Sequence, residues 1–257
     1  MIKKSKSKWF SHRTNHPEAK INLICFVFAG GSPSFFAPWR SLFPSNINLI
    51  PILYQGRETR TKEILPEHPE QLIQQLIKDE PSLFDKPYAL WGHCSGSLLG
   101  LELAYTMIEK GNPPIGFIVS GCEAPQHALR LLPSVKESFD EVKDEDIISS
   151  LRVYNLLPED MLDNPVFRNY FLPTYRADLS MFSKYKYENR SKLTCPALIM
   201  NGTEDIMLKK ENIDEWDSVF VSPIMKFYSG EHYFVNDHKE DVKDSICKFI
   251  DEACYDK

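Results

Sequence analysis

Gly92-His93-Cys94-Ser95-Gly96 places a cysteine midway between two glycines, with a short apolar run before it and an amphipathic one after it. That spacing is the pattern of a nucleophile elbow, in which a strand turns sharply into a helix and the central side chain is held out at the turn. Ser95 is not the centre, since that would need glycines at positions 93 and 97, where His93 and Ser97 stand. The candidate nucleophile is therefore Cys94. A thiol there implies acyl chemistry through a thioester rather than an oxyester, and a helix N-terminus beside a histidine favours the reactive thiolate. A lone cysteine is also often just a small buried hydrophobe, so the case depends on its partners.

In this kind of site the acid and the base follow the nucleophile along the chain, each on a loop after a late strand. Asn201-Gly202-Thr203-Glu204-Asp205 follows the apolar run Pro196–Met200, and Gly230-Glu231-His232 follows Ile224–Tyr228. His232 is thus the expected base, and Asp205 the group that fixes its tautomer and stabilises the imidazolium. Backbone amides after the first strand and after the nucleophile, at Ala29 and Ser95, are expected to hold the oxyanion. Plainer alternatives stand beside these assignments. Asp205 fits a helix N-cap, Glu204 is a rival acid, and His93 is a rival base that the turn should point away from the reacting atoms. The remaining histidines, at 12, 16, 68, 127 and 238, have no strand-end position.

These residues need a parallel sheet to bring them together. Ile21–Phe28, Asn48–Leu53, Pro87–Trp91, Ile115–Val119, Pro196–Met200 and Ile224–Tyr228 read as strands. Helical spacing of apolar residues is seen over 68–79, from Ser97 to Lys110, and over roughly 237–254. Strands alternating with helices imply an α/β chain with a mainly parallel central sheet, the α/β-hydrolase architecture. Residues of about 126–190 break the alternation and are expected to form an inserted helical lid within a single domain spanning 1–257. The 257 residues suffice for one large core.

A net charge of −6 argues against a nucleic-acid surface. No apolar run is long enough to span a bilayer. The basic start, Lys3-Lys4-Ser5-Lys6-Ser7-Lys8, leads into polar sequence and not the apolar core of a secretory signal. Six scattered cysteines form neither a C-x-x-C pair nor a zinc pattern, which fits a reducing cytoplasm and no metal cofactor.

Beyond the candidate triad, the chain resembles the type II thioesterases that accompany nonribosomal peptide and polyketide synthases. The likeness runs through Trp9-Phe10, Ala29-Gly30-Gly31-Ser32, Phe35-Phe36, Pro38-Trp39, Gly56-Arg57-Glu58 with Arg60, Ser120-Gly121 with Ala124-Pro125, and Leu172-Pro173 with Arg176-Ala177-Asp178. The resemblance implies an enzyme that removes acyl groups from the phosphopantetheine arms of carrier proteins, acting as a monomer without a cofactor of its own. It places Cys94, Asp205 and His232 in the family's Ser-Asp-His roles, with Ala29 and Ser95 at the oxyanion hole.

Two departures stand out. Phe28 replaces the histidine that usually precedes Ala-Gly-Gly-Ser, and Cys94 replaces the nucleophilic serine. Related thioesterase-like shuttles with cysteine at this position move aminoacyl groups between carriers. An acyl-cysteine lies close in energy to the pantetheine thioester, so carrier-to-carrier transfer is the alternative to hydrolysis. Cysteine alone does not exclude hydrolysis, which cysteine proteases perform efficiently. A non-catalytic carrier-binding protein is a further reading, and it leaves Asp205 and His232 without a purpose.

Overall fold

The computed structural model describes residues 7–127, 142–188 and 190–255. Its centre is a sheet of six strands: β1 (Ile21–Phe26), β2 (Ile47–Pro51), β3 (Tyr88–His93), β4 (Gly116–Ser120), β5 (Ala197–Gly202) and β6 (Ile224–Tyr228). They lie in the order β2-β1-β3-β4-β5-β6, with every neighbouring pair parallel. Every residue of β1 to β5 is buried, which is why these strands read as unbroken apolar runs rather than alternating ones. β2 and β6 are the two edges, and β6 alone of the six strands has mostly solvent-facing residues. This arrangement of sheet and helices is the α/β-hydrolase fold.

The helices are α1 (Pro69–Asp79), α2 (Gly96–Glu109), α3 (Asp144–Val153), α4 (Glu159–Leu162), α5 (Pro165–Ser183), α6 (Lys210–Asp214), α7 (Phe234–Asp237) and α8 (Lys239–Tyr255). α2 is buried from Gly96 to Met107, so it is apolar nearly all round rather than striped. Gly100 lets it approach the sheet closely, since a Cβ there would stand 2.8 Å from the Phe117 ring. The expected closing helix is two helices, α7 and α8, that meet at His238. Between β4 and β5 the described residues form α3, α4 and α5 and contain no strand; residues 128–141 and 189 of the expected insertion lie outside the described residues. None of the described helices is long and apolar enough to cross a membrane.

The chain runs from β1 outward to β2 and then returns past β1 to β3. The connections after β1 and β3 therefore leave in opposite directions, and a crevice opens at the carboxyl ends of those two strands. Ligands of open α/β sheets bind at such a reversal point. Ala29 lies just beyond β1, and Cys94 immediately beyond β3.

Candidate active site

Cys94 sits at the turn with φ of +52°, a left-handed conformation that a side chain rarely takes. The flanking glycines are needed by contact: a Cβ at Gly92 would run into Ser97 Cα, and one at Gly96 into the Phe26 carbonyl. Cys94 N–H donates to the Ser120 carbonyl at 2.8 Å, and its own carbonyl accepts from Ser97 N–H at 2.9 Å. These bonds fix the turn from both sides and leave the half-buried thiol at the start of α2.

Asp205 and His232 meet because β5 and β6 are adjacent and in register at Gly202 and Tyr228. Thr203 N–H donates to the Tyr228 carbonyl at 2.8 Å and Glu204 N–H to the Gly230 carbonyl at 3.0 Å, which ties the two loops together. His232 Nδ1–H donates to Asp205 Oδ2 at 2.7 Å, with both groups buried. The other carboxylate oxygen, Oδ1, accepts from Met207 N–H at 3.0 Å, so Asp205 makes a local turn as well as the histidine contact. Glu204, the rival acid, instead accepts from Gly230 N–H at the surface.

His232 lines the same pocket as Cys94. Burial alone would push its imidazolium towards neutrality. Negative charge at Cys94, the hydrogen bond to Asp205 and the Asp205 charge outweigh that and hold it up, to about 10.

His93 is fully buried and points into the protein, where its Nδ1 lies 3.0 Å from Ser120 Oγ. It is nonetheless close to the site. Its ring packs 5.3 Å from that of His232 and stacks on Phe35 at the same separation. Burial and the neighbouring positive His232 keep it neutral. Nothing in the sequence except its place in the elbow signals this packing.

One of the two amides expected to hold the oxyanion already has a partner. Ala29 N–H is not open to the cavity as a free donor: it donates to the Ser95 hydroxyl at 2.9 Å. Ser95 follows the nucleophile, and its short side chain folds back onto the loop after β1. The next amide, Gly30 N–H, donates to Asp178 Oδ2 on α5 at 2.6 Å. Asp178 is in turn held by Arg57, whose Nη1 donates to Oδ2 at 2.9 Å and to the Gly31 carbonyl at 2.7 Å. This buried pair joins the loop after β1, the loop after β2 and the inserted helix α5. Only its membership of the quoted motifs Gly56-Arg57 and Arg176-Ala177-Asp178 signalled it in the sequence.

A narrow pocket opens beside Cys94, Ala29 and His232. Its walls are Phe28, Phe171, Tyr175 and Tyr233, completed by Leu151, Leu156, Leu157 and Met207. Among the described residues no cluster of three or more His, Cys, Asp or Glu is placed to hold a metal ion.

Sheet order, elbow and a buried carboxylate–histidine pair beside it together define an α/β-hydrolase. Residues 21–254 match the Thioesterase domain family, and the chain belongs to that family as a thioester hydrolase. Gramicidin S biosynthesis protein GrsT of Aneurinibacillus migulanus is 31% identical over 244 residues, covering 94% of this chain and 93% of that protein. Thioesterase PikA5 of Streptomyces venezuelae is 26% identical, covering 93% of this chain and 84% of PikA5. The solved structure of BorB, the type II thioesterase from the borrelidin biosynthetic cluster, superposes with a TM-score of 0.82 at 25% identity over 94% of this chain and 97% of BorB.

Proposed function

We propose that the protein hydrolyses acyl groups from the phosphopantetheine arms of carrier proteins in nonribosomal peptide or polyketide biosynthesis, with Cys94 as nucleophile, His232 as acid and base, and Asp205 as its orienting partner. The observation that carries this is the buried His232 ring, bonded to Asp205 at 2.7 Å and lining one pocket together with Cys94. The names of the relatives support the setting, and the helical insertion over Cys94 supports a lid role for residues of about 126–190.

The chemistry follows from that ring. The Cys94 thiolate attacks the thioester carbonyl, and the developing oxyanion is held by Ser95 N–H together with Ala29 N–H once the Ser95 hydroxyl has turned away. The C–S bond to pantetheine breaks, and His232 gives its proton to the departing thiol. Neutral His232 then takes a proton from water, which attacks the acyl-cysteine, and the free acid leaves as the thiolate is restored. Asp205 stays ionised throughout and stabilises the imidazolium.

The test supplies an acyl-carrier donor together with an excess of empty acceptor carrier, and measures free acid and acyl-acceptor by mass spectrometry. Free acid as the main product, lost in Cys94→Ala and His232→Ala, is the expected result. Acyl groups accumulating on the acceptor instead would assign the protein as a carrier-to-carrier transferase using the same cysteine.

A further inference from the structure

We infer that Glu123 is a positioning residue for the reaction: its carboxylate fixes the far end of the turn from which Asp205 reaches His232. This rests on the hydrolase reading above. Between β5 and α6 the backbone donors after Asp205 are taken in order. Met207 N–H donates to Asp205 Oδ1 at 3.0 Å, and Leu208 N–H to the Asp205 carbonyl at 3.3 Å. The next amide, Lys209 N–H, donates to Glu123 Oε1 at 2.7 Å. The same oxygen accepts from the Asn212 side-chain amide at 3.0 Å, inside α6. Asp205 thus closes the near end of the turn and Glu123 the far end.

Glu123 is itself held in place. It lies in the loop after β4 and is buried, as is Asn212. Both of its neighbours are bonded to the same part of the chain. Cys122 N–H donates to Asn201 Oδ1 at 3.2 Å, and the Cys122 carbonyl accepts from Trp216 Nε1–H at 3.0 Å. Ala124 N–H donates to the Asn212 carbonyl at 3.1 Å. The carboxylate therefore reaches the turn from a fixed backbone, and its acceptor oxygen has one place to be.

The consequence for the chemistry runs through Asp205. A single rotation sets both of its oxygens, so Oδ2 meets His232 Nδ1 at 2.7 Å while Oδ1 faces Met207 N–H. Loosening the far end of the turn moves Met207 N–H, and the carboxylate turns with it. The His232 ring then loses the orientation it needs to take a proton from water at the acyl-cysteine. Glu123 does not line the pocket beside Cys94, so its effect on the reaction passes through Asp205.

The experiment compares Glu123→Gln, which keeps an acceptor oxygen at the same reach without the charge, with Glu123→Asp, which keeps the charge and draws the oxygen back. Glu123→Ala removes both. The probe is the acetyl thioester of N-acetylcysteamine, which carries the end of a pantetheine arm, and acetyl-Cys94 is followed by quenched-flow mass spectrometry at neutral pH. Glu123→Gln should keep kcat within about threefold of the parent, while Glu123→Asp and Glu123→Ala fall by about ten- to a hundredfold, the scale of a displacement of up to about 1 Å near the reacting groups. In the slow variants KM should fall along with kcat as acetyl-Cys94 accumulates. In an Asp205→Ala background, Glu123→Ala should lower kcat by less than about twofold, because the two residues act as one unit. Should Glu123→Ala fail to fold, the contrast between Gln and Asp decides.

Glu123→Gln as slow as Glu123→Asp would overturn the inference, since charge and not acceptor position would then matter. A fall in kcat with KM unchanged and no accumulated acetyl-Cys94 would also overturn it, because a smaller folded fraction gives that result. So would an equal loss in the Asp205→Ala background. A parent that turns over no faster than Glu123→Ala would remove the role of Glu123 alone. A parent that neither releases acetate nor carries acetyl on Cys94 would overturn the hydrolase reading, and the role of Glu123 with it.

Discussion

Replacing Asp178 by asparagine isolates what the buried Arg57–Asp178 pair does. The two side chains are only 2% and 1% exposed, so neither charge is shared with water. Burial pulls the Arg57 guanidinium down, and the Asp178 charge more than restores it. Asparagine still offers an oxygen to Gly30 N–H but strands the Arg57 charge in the interior. Breaking such a pair from one side costs about 3–5 kcal/mol. For a chain of this size each kcal/mol lowers the melting temperature by about 2–4 °C, which gives a fall on the order of 6–20 °C. Calorimetry and urea unfolding measure it. The double variant Arg57→Met with Asp178→Leu removes both charges and should regain most of that stability. It should not regain activity, because Gly30 N–H and the Gly31 carbonyl lose their partners and the neighbouring Ala29 amide shifts; a displacement of about 1 Å near the reacting atoms can cost about a hundredfold in rate. An Asp178→Asn protein within about 1 kcal/mol of the parent, as expected for an exposed ion pair, would refute the reasoning.

Iodoacetamide at neutral pH should label Cys94 well before Cys25 and Cys122, whose thiols burial pushes up, and before Cys247, pushed up to about 11; peptide mass spectrometry reads the order, and equal labelling of all four would remove the selectivity. The charged His232 has a folded value of about 10 against an ordinary 6.5, so the stability it contributes is complete below 6.5 and is lost as pH rises through about 10. Melting temperatures measured across that window should decline in the parent and flatten in Cys94→Ala, which removes the opposing charge; an unchanged slope would disprove the coupling. Ser95→Ala frees Ala29 N–H for the substrate oxygen and should speed acylation by about two- to tenfold, the worth of one hydrogen bond of about 0.5–1.5 kcal/mol. A slower Ser95→Ala enzyme would mean that the hydroxyl itself donates to the oxyanion.

Much of the framework was visible in the residues. Strands buried on both faces are written as unbroken apolar runs such as Leu23-Ile24-Cys25-Phe26, and glycines at 92 and 96 announce a turn that only they permit. Asp205 and His232 were legible because each follows a strand directly, and the pairing of β5 with β6 then brings them together. The bond from Ala29 to Ser95 was not legible, because it depends on which way a small hydroxyl rotates within a packed turn. Asp178 and Arg57 lie 121 positions apart, and no local pattern of charge joins residues at that distance. His93 was expected to lie apart from the chemistry. It does point inward, but the close packing of β3 beside β4 carries its ring up against His232.

The left-handed backbone at Cys94 sets the interests of the fold against those of the reaction. A non-glycine residue held there carries a strain of about 1–3 kcal/mol, sustained by the packing of Gly92 and Gly96 on either side. Glycine at position 94 would relieve it and abolish the thiol, so the inactive chain would be relaxed at its most constrained point. A lineage of this protein released from selection for turnover would thus find an easy drift towards glycine at 94. Laboratory selection for heat resistance alone would move in the same direction, so a thermostability screen for this enzyme must carry an activity readout alongside it.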